Sequence, residues 1–247
     1  MAFSIGIWYD AHNTKGGAVR VKRRRGWLIP VFLGTEGGLY TLFLILDLLG
    51  HWDWSVPVKY ASIVVCLLFS LGGKRLMACA MALTLLADTF LLLLDAHYLA
   101  GVASFCAVQI LYLLRIRGWG GWPLPLWAAL RGGLFAAALA ISAAGGILTP
   151  LTAVSAFYFT QLLCSAAESF PLARRGRPHL LFSAGLLLFI GCDLCVGLHN
   201  LPGLLGADPT APIFSFAAVG MWLFYLPSQV LLTLSGRENA LRKGGMP

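Results

Sequence analysis

The chain has 247 residues, 59% of them hydrophobic and only 11% charged, with a mean hydropathy of +0.80. That composition excludes an ordinary soluble domain, in which about half the residues are apolar and about a quarter charged. The formal net charge of +8 falls between apolar runs, so it reports membrane topology and anionic headgroups, and no nucleic-acid surface is called for.

The first 26 residues form a basic leader with Lys15, Arg20, Lys22, Arg23, Arg24 and Arg25. Basic residues before an apolar run resemble a signal peptide. Here, however, no small-residue cleavage site follows and the run is longer than a signal core of about 7–15 residues, so the first helix is read as a retained anchor. Eight apolar runs then follow, over residues 27–49, 56–71, 76–94, 98–114, 126–145, 151–170, 180–199 and 212–234. Most are long enough to cross a hydrocarbon core of about 30 Å. A short basic tail, residues 235–247, closes the chain. The expected architecture is an all-α polytopic bundle of eight transmembrane helices, one domain over residues 27–234, in the cell membrane.

Basic residues orient this bundle. Lys74 and Arg75 follow the second run, Arg115 and Arg117 the fourth, and Arg174, Arg175 and Arg177 the sixth; Arg237, Arg242 and Lys243 lie in the tail. With the leader, sixteen of the eighteen Lys and Arg fall on one side of an eight-helix threading. The opposite connections carry Asp53, Asp95 and Asp208. The positive-inside rule then puts both termini in the cytoplasm.

Two aspartates lie deep inside apolar runs, Asp88 in the third and Asp193 in the seventh, each six residues before the outer end of its run. A carboxyl in hydrocarbon is costly and marks a cavity, a partner or a function. Helical spacing groups further polar residues with them. Thr84 and Asp95 share the face of Asp88, and Gly197 and Asn200 that of Asp193. The sixth run presents Tyr158, Gln161, Ser165 and Glu168, and the eighth Trp222, Tyr225, Gln229 and Thr233. Gln109 stands near the middle of the fourth, and Glu36, Tyr40 and Asp47 line the first. Together these stripes can enclose one polar pocket that is closed towards the cytoplasm. Gln, Ser and Thr inside spans also serve simply as interhelical hydrogen bonds, and that alternative stands beside the pocket.

No GxSxG elbow, HExxH or phosphate loop is present. His97 and His199 flank the outer mouth, but no His pair has helical ligand spacing, so neither metal nor organic cofactor is expected. Six cysteines, including the Cys192 and Cys195 pair, fall within the runs and read as small packing residues. What remains is the carboxyl pair. Two carboxyls held close together cannot both ionise easily. One could therefore hold a proton while the other stays charged, an arrangement suited to general acid catalysis.

Three segments resemble the lysoplasmalogenase (YhhN-like) family: ADTFLLLLDAHYLAGVASFCAVQILYLL, LFSAGLLLFIGCDLCVGLHN and WLFYLPSQVLL. Ala87 stands where the family has Gly, Cys192 where it often has Ser, and Gln109 where it often has His. The resemblance implies eight helices and hydrolysis of the vinyl ether bond of lysoplasmalogens, a lysophospholipid-type substrate, by Asp88 and Asp193 as catalytic groups. Thr84, Gln109, Gln161, Asn200, Tyr225 and Gln229 are then candidate substrate contacts. A proton-coupled carrier using the same aspartates, or a non-catalytic lipid-binding protein, is the alternative; the carrier requires helices broken at the midplane, and Pro227 would break only the last.

The charge pattern generates a topology prediction. A reporter fused after Met246 is expected in the cytoplasm and one inserted beside Asp208 outside; protease protection of both on one side would refute the threading.

Overall fold

The computed structural model describes residues 27–121, 123–205, 208 and 211–237. The leader 1–26 and residues 238–247 of the tail lie outside the described residues. Eight α-helices occur among the described residues: α1 Leu28–Leu48, α2 Trp52–Ser70, α3 Arg75–Asp88, α4 Tyr98–Gly118, α5 Leu124–Ala144, α6 Pro150–Ser169, α7 Arg177–Leu205 and α8 Pro212–Ser235. A π-helical turn, Thr89–Leu93, extends α3, and a 3-10 turn, Phe170–Arg175, joins α6 to α7. No strand occurs among the described residues.

Seven of the helices are long and apolar enough to cross a membrane. The eighth, α6, is 20 residues long, but Thr152, Thr160, Gln161, Ser165 and Glu168 dilute its hydropathy. The outward side chains are those of a lipid-facing bundle, with Leu48 81% and Ile141 72% exposed. The chain is a multi-pass helical membrane protein.

Helix ends differ from the hydropathy boundaries where polar residues continue a helix past its apolar stretch. Helix α4 runs on through Arg115 and Arg117, and α7 extends to Leu205 across Pro202. Helix α2 begins at Trp52 and accommodates Pro57 near its start. The expected interruption of the last helix at Pro227 does not occur, because α8 runs unbroken from Pro212 to Ser235. At α6 the start is fixed locally. Thr149 accepts from the Thr152 amide at 3.1 Å, Thr152 Oγ1 accepts from the Thr149 amide at 2.6 Å, and Pro150 occupies the first turn. That reciprocal cap satisfies two otherwise orphaned amides.

The basic helix ends gather at one end of the bundle. Arg237 donates to the Phe69 carbonyl at 2.6 Å and lies 4.2 Å from the Phe69 ring centre. Arg115 bonds the Ser235 carbonyl, and Arg175 the Trp119 carbonyl. The ends of α2, α4, α6 and α8 are thereby tied together. Helices α7 and α8 approach closely: a β-carbon at Gly185 would sit 2.8 Å from Leu232, and one at Gly220 3.0 Å from Cys195 Sγ.

The two basic residues that the one-sided pattern leaves over, Lys59 and Arg131, are both buried inside helices and paired with acids. Lys59 Nζ meets Asp47 at 2.7 and 3.0 Å, linking α2 to α1. Phe43, Trp52 and Trp222 surround the ammonium at 5.3, 5.9 and 4.7 Å. Arg131 meets Glu168 at 3.2 Å, linking α5 to α6, and Arg117 meets the same carboxyl at 3.4 Å.

Breaking a buried pair leaves a lone charge, which typically costs about 3–5 kcal/mol, whereas removing both partners is close to neutral. Lys59→Met is therefore expected to lower the melting temperature of the detergent-purified protein clearly, and Lys59→Met/Asp47→Leu to recover most of the loss. Equal destabilisation by the single and double changes would show that the pair carries no such role.

Candidate functional site

Helix α3 delivers Asp88 at the point where the helix changes pitch. Beyond it the chain widens into the π turn, with the Leu94 amide bonding the Thr89 carbonyl at 2.9 Å. Such insertions frequently accompany functional sites because they re-aim one side chain without ending the helix. The Thr89 hydroxyl donates to the Leu85 carbonyl at 2.8 Å and shares a 2.9 Å bond with the Tyr60 hydroxyl, anchoring the turn to α2. The chain then passes Asp95 (φ 47°) and His97 (φ 55°), both in the left-handed region. Non-glycine residues there carry about 1–3 kcal/mol of strain each and persist only when held. Tyr98 holds one of them, its hydroxyl donating to Asp95 Oδ1 at 2.6 Å.

Asp88 is 4% exposed. The Tyr225 hydroxyl of α8 lies 2.7 Å from one of its carboxyl oxygens and 2.9 Å from the other. Asp193 is half-buried on α7. Tyr158 of α6 stands close enough to Asp193 to interact with its charge, yet no hydrogen bond of ordinary geometry closes between Tyr158 Oη and Asp193 Oδ2. An aromatic cluster joins the two Asp–Tyr pairs. Phe189 lies 5.6 Å from Tyr225 and 6.3 Å from Tyr158 between ring centres, and Phe105 lies 5.7 Å from Phe189 and 5.6 Å from Tyr158. The Cys192 thiol is within electrostatic reach of both carboxyls.

A second polar layer lies deeper. Thr233 bonds Met81 Sδ at 3.2 Å and Tyr225 bonds Asp88, so α3 and α8 run antiparallel in fixed register. Thr84, midway between Met81 and Asp88, is therefore level with Gln229. On the other side, a β-carbon at Gly101 would meet Leu91, which brings Gln109, two turns along α4, to the same level. Thr84, Gln109 and Gln229 are each no more than 1% exposed. Thr84 Oγ1 and both amide atoms of Gln109 and Gln229 have no hydrogen-bond partner, nor does the hydroxyl of Tyr112, one turn beyond Gln109. A buried polar group left unpaired costs about 1–3 kcal/mol, and native structures contain few of them.

The other candidates lie elsewhere. Gln161 accepts from Arg131 at 2.6 Å, so its face of α6 meets α5 and is occupied by a charged network. Asn200 is exposed, with its amide donating to the Val196 carbonyl of its own helix at 2.8 Å. Glu36 is buried, accepts from the Ser62 hydroxyl and lies 3.5 Å from Cys66 Sγ. His97 and His199 are exposed, and the described residues contain no cluster of three or more His, Cys, Asp or Glu able to hold a metal. All six cysteines are free thiols.

Tyr158 sits on a polar stripe that assigns it no role, and Tyr112 carries no signal in the sequence. That sixteen of the eighteen basic residues fall on one side singles out the remaining two, Lys59 and Arg131.

Among curated proteins and among solved structures, nothing matches the chain. The model of the YhhN family matches residues 54–236, a stretch that contains both Asp–Tyr pairs and the whole polar layer beneath them. The chain belongs to the YhhN family, the lysoplasmalogenase family.

Proposed function

We propose that this protein is an intramembrane hydrolase that cleaves the vinyl ether bond of lysoplasmalogens. The observation that carries the proposal is the pair of carboxyls, Asp88 and Asp193, each beside a tyrosine and both set around one aromatic cluster. Family membership supports the substrate class.

In the proposed reaction one aspartate, holding its proton, transfers it to the alkenyl carbon β to the ether oxygen. The adjacent carbon becomes an oxocarbenium centre, and the second, ionised carboxyl stabilises that cation. A water oxygen bonds to the cationic carbon while its proton passes to this carboxyl. The hemiacetal then collapses, breaking the old carbon–oxygen bond to leave a fatty aldehyde and a glycerophospho-alcohol. Neither metal nor organic cofactor enters this scheme. Tyr225 orients Asp88, while Thr84, Gln109 and Gln229 line the inner side of the site. An amphipathic lysophospholipid reaching a site near one face of the cell membrane keeps its alkenyl chain among Phe105 and Phe189. The accompanying topology is eight spans, α6 included, with both termini cytoplasmic. A proton-coupled carrier draws support from one observation only, the break of α3 into a π turn at Asp88.

Asp88→Asn and Asp193→Asn preserve shape and remove the acid. General acid–base catalysis contributes roughly 10²–10⁴-fold, so each change is expected to reduce aldehyde release from lysoplasmenyl lipid by about that factor. The double change should add little, since groups acting as a unit are non-additive. Tyr225→Phe should cost less, roughly tenfold, the scale of one hydrogen bond to a charged group. Glu36→Gln should retain substantial activity. A well-folded Asp193→Asn protein with normal turnover would defeat the mechanism and favour the carrier.

A further inference from the structure

Resting on the hydrolase reading, we infer that the layer formed by Thr84, Gln109, Gln229 and the Tyr112 hydroxyl is a site for bound water, from which the nucleophile reaches the carboxyls above it. Its groups are neutral, and at one depth of the bundle they offer unpaired donors and acceptors, Nε2 and Oε1 of both glutamines together with two hydroxyls. Water matches that set because each molecule gives two hydrogen bonds and accepts two, and a buried water needs two to four polar partners.

A phosphate or carboxylate does not match. It brings acceptors only, and none of the four groups is a cation. Of the buried basic residues, Lys59 and Arg131 are paired with Asp47 and Glu168, and Arg115, one turn beyond Tyr112, is committed to the Ser235 carbonyl.

Depth supports the same assignment. Thr84 lies one helical turn, about 6 Å, inward of Asp88 along α3. The alkenyl chain is accommodated at the level of the aromatic cluster, and the layer beneath it is amide-lined. Water held in this layer stands on the inner side of the carboxyls, opposite the outer mouth flanked by His97 and His199. In the reaction the stored water gives its oxygen to the oxocarbenium carbon and one proton to the ionised aspartate, which restores the carboxyl pair when the hemiacetal collapses. Gln109 and Gln229 are thus positioning residues for the nucleophile.

Two measurements on the purified full-length protein test this. Hydroxyl radicals generated by X-ray pulses label side chains that border bound water. Tyr112, although only 1% exposed, is expected to be oxidised in the wild type and several-fold less in Gln109→Leu/Gln229→Leu. An unlabelled Tyr112, or equal labelling in both proteins, overturns the water site. This arm needs no substrate. If the wild type releases no aldehyde, the hydrolase reading fails while the footprint still decides the water layer.

In the kinetic arm, Gln109→Leu and Gln229→Leu are each expected to lower kcat by roughly ten- to hundredfold with KM for lysoplasmenyl lipid within about twofold, the signature of a lost transition-state contribution. Gln109→Asn, which keeps the amide, should recover part of the loss. A raised KM at unchanged kcat would mean that the glutamines hold the lipid, and would overturn the assignment. Should the double variant fail to fold, the single Gln229→Met protein is footprinted in its place and read by the same criterion.

Discussion

In a bundle whose exterior is largely leucine, isoleucine and phenylalanine, a buried charged side chain cannot turn to solvent and depends on a neighbouring helix. The charges of this chain divide under that constraint. Lys59 and Arg131 neutralise Asp47 and Glu168 at the α1–α2 and α5–α6 contacts. Asp88 and Asp193 face tyrosines instead of cations. The difference is chemical. A cation beside a carboxyl holds it charged, whereas a phenol can donate to the ionised form or accept from the protonated one. Proton transfer by Asp88 therefore leaves its partner in place.

The π turn completes this arrangement. An uninterrupted α3 would carry the residues after Asp88 around at 100° each and commit them to the same faces. Widening the helix by one residue lets Thr89 turn to α2, where Tyr60 holds it, while Asp88 keeps its approach to α8. The strained exit through Asp95 and His97 follows from the same device, since the chain must return into α4 within four residues.

Hydropathy made the helices legible, and the isolated aspartates marked the candidate site, because an ionisable group in an apolar run is costly and calls for a partner or a function. The π turn left no trace, since the run FLLLL after Thr89 is apolar at every position and carries no period to disturb. Gln161 and Asn200 show a different limit. Helical spacing tells which residues share a face, not which neighbour that face meets. For Gln161 the neighbour is Arg131 of α5; for Asn200 it is the carbonyl of its own helix. Pro227 misled for a related reason, because a proline within a tightly packed pair of helices can be carried without a break.

The Arg131–Glu168 contact also bears on how the chain enters the membrane. Inserted alone, helix α5 would expose Arg131 to lipid, a cost that translocation scales put at about 2.5–3.5 kcal/mol at mid-span, and α6 is the helix too polar to qualify as a span alone. Among the described side chains of α5 only Trp127 and Arg131 are buried, so little else holds it to the bundle. The two poorest candidates for independent insertion are consecutive, and each supplies the charge that the other lacks. Inserting them together as a hairpin would let the two charges neutralise each other before either met lipid.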